Sequence, residues 1–233
     1  MMKRILFLFV TLGFTSAALA AVETYKIDPV HSSVNFSIRH FVGKVQGRFT
    51  KCGGTITVDR DNLENSSVEA SIDVTSVNTE NDKRDAHLKT PDFFDAAKFS
   101  TITFKSKSWK KTGDTTYDVT GDLTIKDATK SVVLHVTSLG FGPGMKGAQL
   151  SGWEATTTLN KADFGVNGPA ILGTALGDEV AVTIDVEADL QPPSSAENSL
   201  HRHQLAGGFA PVGWGTKMFG PGNNFCFHGP ARP

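Results

Sequence analysis

The chain holds 233 residues, with 23 Lys and Arg against 24 Asp and Glu and a formal net charge of −1. That length allows one or two domains with a real core, and the even charge excludes a general nucleic-acid binder, which would carry a basic excess. Two cysteines are too few for a disulfide-rich scaffold, a four-cysteine zinc site or an iron–sulfur cluster.

Residues 1–20 read as a secretory signal. Lys3 and Arg4 give a positive start, and Ile5 to Phe14 form an apolar run well short of the roughly 20 residues that a membrane span needs. Ala18-Leu19-Ala20 is an A-x-A cleavage site, so the expected mature chain begins at Ala21 in the periplasm or outside the cell.

The next segment, 21–190, is the expected folding unit. It holds 18 basic against 23 acidic residues, a net charge of −5. Strict alternation dominates it. Val34, Phe36, Ile38 and His40 share one face and Ser33, Asn35, Ser37 and Arg39 the other. The same period of two runs through Val68–Val74, Tyr117–Ile125 and Val180–Val186, which is the pattern of strands with one apolar face. Shorter runs at Gly54–Val58, Thr101–Lys105, Val132–Leu139 and Leu150–Leu159 bring the expected count to about eight. Turns are expected at Asp59–Asn62, Lys111–Asp114 and Gly140–Gly147.

Between Asn78 and Phe99 the alternation stops. Glu80-Asn81-Asp82 supplies acidic first-turn residues, and Arg84, His87 and Leu88 follow at helical spacing, so a short helix near 80–89 is expected to end before Pro91. Phe93, Phe94 and Phe99 cluster just beyond it. Many antiparallel strands with one apolar face make an all-β barrel or sandwich. A barrel of about eight strands is wide enough to hold one small ligand.

Residues 191–233 hold 7 of the 23 Gly and 6 of the 10 Pro and show no period. They read as a disordered tail.

Most enzyme motifs are missing: no G-x-S-x-G, P-loop, H-E-x-x-H or C-x-x-C occurs. Gly142–Gly147 matches G-x-G-x-x-G, but the alternating run that follows is a strand and not the phosphate-binding helix that the motif requires. His31, His40 and His87 are open to two readings, as metal or acid–base groups or as hydrogen-bonding side chains of a polar barrel end. His135 shares a face with Val133 and Leu139, and His201 and His203 form a weak metal-like tract with Cys226 and His228. Cys52 is expected to pack as a small apolar side chain rather than to bridge Cys226. Arg84, Asp85 and His87, with Lys89, form a dense polar group beside Phe93 and Phe94. It suits either the head of a bound amphiphile or a salt-bridged helix end.

At these residues the sequence resembles a known family. Asp28-x-x-His31-Ser32-x-Val34-x-Phe36, His40 and Val45-x-Gly47-x-Phe49 are similar to the opening of the YceI family. Val77-Asn78-Thr79, Arg84-Asp85-x-His87-Leu88 and Asp92-Phe93-Phe94 resemble its central signature, and Gly121-x-Leu123-Thr124-Ile125, Thr129-Lys130-x-Val132 and Asp163–Val166 complete the match over about 24–190. Cys52 stands where the family tends to have an aromatic and Lys161 where it often has Arg, and the tail has no counterpart.

The resemblance implies a lipocalin-like antiparallel barrel in the periplasm that holds a long apolar chain: a polyisoprenoid quinone, an isoprenyl pyrophosphate or a fatty-acid amide. The wall expected to contact it is Phe36, Ile38, Val45, Phe49, Val68, Ile72, Phe93, Phe94, Phe104 and Trp153, with the polar head at Arg84, Asp85 and His87. No catalytic residue, metal or cofactor is expected. A carrier is the leading reading. A quinone-linked redox partner or enzyme working with a membrane cytochrome is the alternative, and a ligand-free stress protein is a third. Lipid identity, transient contact with inner-membrane proteins and homodimer formation stay open.

Overall fold

The computed structural model describes residues 22–192. The expected signal segment and nearly all of the tail, with Cys226 and the 201–228 histidine tract, lie outside the described residues.

Eleven strand segments run in the order β1 (Val22–Ile27), β2 (Ser33–His40), β3 (Gly43–Phe49), β4 (Cys52–Asp59), β5 (Ser67–Asp73), β6 (Val77–Asn78), β7 (Thr101–Lys111), β8 (Thr116–Ile125), β9 (Ala128–Pro143), β10 (Gln149–Asn160) and β11 (Leu176–Leu190). Every pairing is antiparallel. β1 and β2 both pair with β11, β3 continues into β4, and β5 bends into β6, which pairs with β3. The eleven segments are therefore eight staves in chain order. The last stave returns to the first through Tyr25↔Leu190 and Val34↔Ile184, which closes an up-and-down barrel with no free edge.

Alternation explains the closure. Along β8 the odd positions Tyr117, Val119, Gly121, Leu123 and Ile125 are buried, while Asp118, Thr120, Asp122 and Thr124 are only partly so. Bends let the long staves curl. Gly54, at φ 152°, sits so close to Glu69 and Ala70 of β5 that no side chain fits there.

The structure departs from the alternation in three places. β1, β3 and β6 carry too few apolar inward positions to stand out; the middle inward position of β3 is Gly47, opposite Phe36. β9 runs on through the expected Gly140–Gly147 turn as far as Pro143, and the turn is confined to Gly144–Ala148. The extra length is taken up by a bulge, since Trp153 faces Ser138 while Gly152 faces Gly140 at φ 108°, leaving Leu139 unpaired and exposed.

Helix α1 (Asp82–Leu88) begins at Asn81, whose side chain accepts from the Arg84 N–H at 3.0 Å, and gives way at Lys89, two residues before Pro91. It lies between β6 and β7, at the end of the barrel that also carries the β2–β3 hairpin and the 161–175 connection. The opposite end is closed by an aromatic cluster. Tyr25 packs on Phe141 (5.7 Å), Phe141 on Trp153 (5.7 Å), Trp153 on Trp109 (5.6 Å) and Trp109 on Tyr117 (6.1 Å). The Arg60 guanidinium covers Phe141 at 4.4 Å. Burial, together with the Glu23 carboxylate that Tyr25 Oη donates to at 2.6 Å, pushes the Tyr25 phenol up to about 12.

Candidate functional site

The inward faces of the staves do not meet. They enclose a cavity of about 660 Å³, within the range of small-molecule sites. Its floor is the buried pair Trp109 and Trp153. Exposed Asn81, Lys83, Arg84 and His87 line its other end, so it reaches solvent beside α1.

All ten residues expected to form the wall line this cavity: Phe36, Ile38, Val45, Phe49, Val68, Ile72, Phe93, Phe94, Phe104 and Trp153. Phe49 bridges two of them, tilted against Phe36 at 5.7 Å and edge-on to Phe94 at 5.8 Å. The cavity lining extends beyond these ten. Val180, Val182, Ile184 and Val186 of β11 line the cavity as fully, as do Val132, Leu134 and Val136 of β9. Their alternation was the available signal. Leu172 belongs to a connection with no period and left no such signal.

The rim separates the three residues of the expected head-group cluster. Arg84 and His87 line the cavity and Asp85 does not. The Asp85 carboxylate turns to Thr79 and accepts from both its N–H and its hydroxyl. Arg84 holds the same residue from the other side, with Nε donating to Thr79 Oγ1 at 2.8 Å and Nη2 donating to its carbonyl at 2.7 Å. The two charged groups thus clasp one threonine instead of each other. His87 Nε2 lies 2.9 Å from Asp92 Oδ2, and its ring meets Phe93 edge-on at 5.1 Å. Lys161, singled out in the sequence only as a departure from its family pattern, also lines the cavity and pairs with Asp178 at 3.0 Å.

The remaining histidines divide by position. His40 lines the cavity and stacks edge-on to Phe41 at 4.7 Å. His135 points away from it and pairs with Asp118 at 2.7 Å. His31 Nδ1 lies 2.6 Å from Asp28 Oδ2 at the β1–β2 bend. The hydrogen bond between them holds Asp28 below the usual carboxylate range and raises His31 above the usual imidazole value. Asp28, His31 and Glu187 bring ligand atoms within 4.8 Å of one another there, away from the cavity. Cys52 lines the cavity, and burial pushes its thiol up, which favours the thiol over the thiolate. Among the described residues, Trp109 Nε1 is the one buried side-chain polar atom without a hydrogen-bond partner.

A one-ended apolar cavity with a polar rim can bind an amphiphile by its chain and sort it by its head. The family model for the YceI-like domain matches residues 25–188. The chain belongs to the YceI-like family. It is 38% identical over 185 residues to protein YceI of Escherichia coli O6:H1, an alignment covering 77% of this chain and 93% of that one. Among solved structures it is similar to Burkholderia cenocepacia BcnA (TM-score 0.64, 23% identity, 69% of this chain and 98% of that one). It is also similar to a polyisoprenoid-binding domain from Saccharophagus degradans (TM-score 0.57, 16% identity, 72% and 98%). At these identities the two structures establish a shared barrel. The YceI-like assignment agrees with the motifs read from the sequence.

Proposed function

We propose that this YceI-like chain is a periplasmic carrier holding one long-chain isoprenoid lipid, an isoprenoid quinone or a polyprenyl pyrophosphate, inside its barrel. The observation that carries this reading is the distribution of charge along the cavity: mostly apolar from the Trp109–Trp153 floor upward, with charged side chains only at the mouth. Each buried CH₂ contributes about 0.8 kcal/mol, so a long chain binds there without any reacting group. The lipid tail lies along Phe36, Ile38, Val45 and Phe49, and the head stays at Arg84 and His87. Asp85 works through Thr79 to position the rim. The name of the Saccharophagus degradans domain, a polyisoprenoid-binding domain of the same fold, supports the ligand class. The apolar run and A-x-A site of residues 1–20 support the compartment.

The test is solvent extraction of the purified protein followed by mass spectrometry, with fluorescence titration of the emptied barrel. Recovery of an isoprenoid lipid is expected. A barrel that carries none and takes up none overturns the carrier reading. Arg84→Ala is expected to weaken a pyrophosphate-headed lipid much more than a neutral one; equal weakening removes Arg84 from the head-group site.

A further inference from the structure

The tip of the β2–β3 hairpin carries two consecutive exposed large apolar side chains. Phe41 and Val42 stand at its apex, Phe41 63% and Val42 fully exposed. Phe41 holds a left-handed backbone with φ 50°, which is costly for a bulky side chain and marks a conformation imposed from outside the residue. The imposing contacts are visible. The Phe41 N–H donates to the Ala175 carbonyl at 2.7 Å, and the Arg39 guanidinium donates to the carbonyls of Phe41 (3.0 Å) and Thr174 (3.2 Å). The tip is therefore tied to the short helical turn Ala170–Ala175, whose Ile171 is 93% exposed and whose Leu172 lines the cavity. Three large apolar side chains thus project into solvent beside the mouth.

Directly below the apex, Arg39 and Lys44 face each other across the hairpin. Like charges so placed destabilise a strand pair. No salt bridge among the described residues involves either of them. An apolar prong above two facing cations is complementary to a bilayer with anionic headgroups, where the prong enters the acyl boundary and the cations meet lipid phosphates. The order of the two groups, apolar apex outermost and cations behind it, matches the depth order of acyl boundary and headgroup phosphates in an anionic bilayer.

We propose that the barrel docks mouth-first on an anionic phospholipid bilayer through Phe41 and Val42, with Arg39 and Lys44 against the headgroups. His40, between the two groups, lines the cavity, so the docked face is continuous with the opening. Docking stands on this geometry alone. Its use in exchanging a lipid between bilayer and cavity rests on the carrier reading.

The experiment places an environment-sensitive fluorophore at either end of the full chain, through Val42→Cys or Met145→Cys, each in a Cys52→Ala/Cys226→Ala background. Met145 is the exposed apolar residue of the β9–β10 turn, at the closed end. Vesicles of phosphatidylcholine with phosphatidylglycerol are expected to blue-shift the emission at position 42 and leave position 145 unchanged. Vesicles of phosphatidylcholine alone should have little effect. A Lys or Arg near an anionic surface is worth a roughly five-fold factor in binding, so Lys44→Glu should weaken it by roughly twenty-fold. It should not lower the thermal midpoint, because it converts a repulsive cross-strand pair into an attractive one. An unresponsive position 42, equal shifts at both ends, or unchanged binding by Lys44→Glu each overturn the proposal. Lipid uptake from detergent solution, measured with Lys44→Glu in the otherwise unaltered chain, reports on the carrier reading separately and should not change.

Discussion

Phe36 of β2 and Gly47 of β3 are cross-strand partners, and the Phe36 ring occupies the space that a Gly47 side chain would need. The methyl of Thr79 closes the same space from the other side, 2.7 Å from where a Cβ would stand. Gly47 is thus the surface on which the first aromatic of the cavity wall rests, and the second residue against it is the threonine that Arg84 and Asp85 clasp. Wall and rim meet at one glycine.

Gly47→Ala should therefore act on both. Overpacking costs about 1–3 kcal/mol, which in a domain of this size lowers Tm by roughly 2–12 °C. The Phe36 ring has one free direction, into the cavity, so ligand capacity should fall as well. Calorimetry and lipid titration on the same variant check the pair; loss of neither would mean that the hairpin absorbs the methyl by moving outward.

Asp85→Ala frees the Thr79 N–H and hydroxyl at once. Hydrogen bonds to a charged group contribute about 1.5–3 kcal/mol each, partly recovered by water at this half-buried site. A loss of about 2 kcal/mol, seen as a fall in Tm of roughly 4–8 °C, is expected. Arg84→Ala leaves the Asp85 bonds in place and should cost less. A larger loss for Arg84 would show that the arginine, not the aspartate, anchors the helix.

The Asp28–His31 hydrogen bond predicts a stability window in pH. His31 is raised by its bond to Asp28, so its contribution is complete below the usual imidazole value, near 6.5, and fades as pH rises through the raised value. Asp28 is lowered by the same bond, so its contribution is complete above the usual carboxylate value, near 3.8, and disappears as pH falls through the lowered one. The difference in Tm between wild type and His31→Gln should peak near pH 5 and shrink toward pH 9. A flat difference would show that the pair contributes nothing to stability.

If residues 1–20 are the secretory signal that the A-x-A site suggests, mass analysis of the protein from expressing cells should show an N-terminus at Ala21. Retention of Lys3 and Arg4 would show that residues 1–20 are not a cleaved signal.

The strands visible in the sequence were those with several apolar side chains at alternate positions. Val34, Phe36 and Ile38 are such a run, and Val180, Val182 and Ile184 are another. From those most of the wall followed, because in a barrel the inward face of every stave is the wall; Val45, Phe49, Phe93 and Phe94 came instead from the motifs shared with the family. β3 stayed hidden, since the residue that makes its packing work, Gly47, contributes nothing to an apolar pattern. The Arg84–Asp85 cluster was found but its bonding was not, because helical spacing says which side chains are near each other and nothing about the Thr79 that precedes the helix. The aromatic floor was illegible for a different reason. Tyr25, Trp109, Phe141 and Trp153 belong to four separate staves and meet only when the sheet closes.

That closure has a consequence for how the barrel forms. Seven of the eight stave pairings join neighbours in the chain and can zip locally; the eighth joins β1 and β2 to β11 across nearly the whole domain. Loop-closure entropy and high contact order place this seam last and make it slow. Until Leu190 has emerged, the growing sheet has two open edges and an uncovered apolar face, the state most exposed to edge-to-edge aggregation. A chain cut short before β11 has no smaller barrel to fall back on. It remains an open sheet, and its survival in the cell depends on whatever shields that face until the last strand arrives.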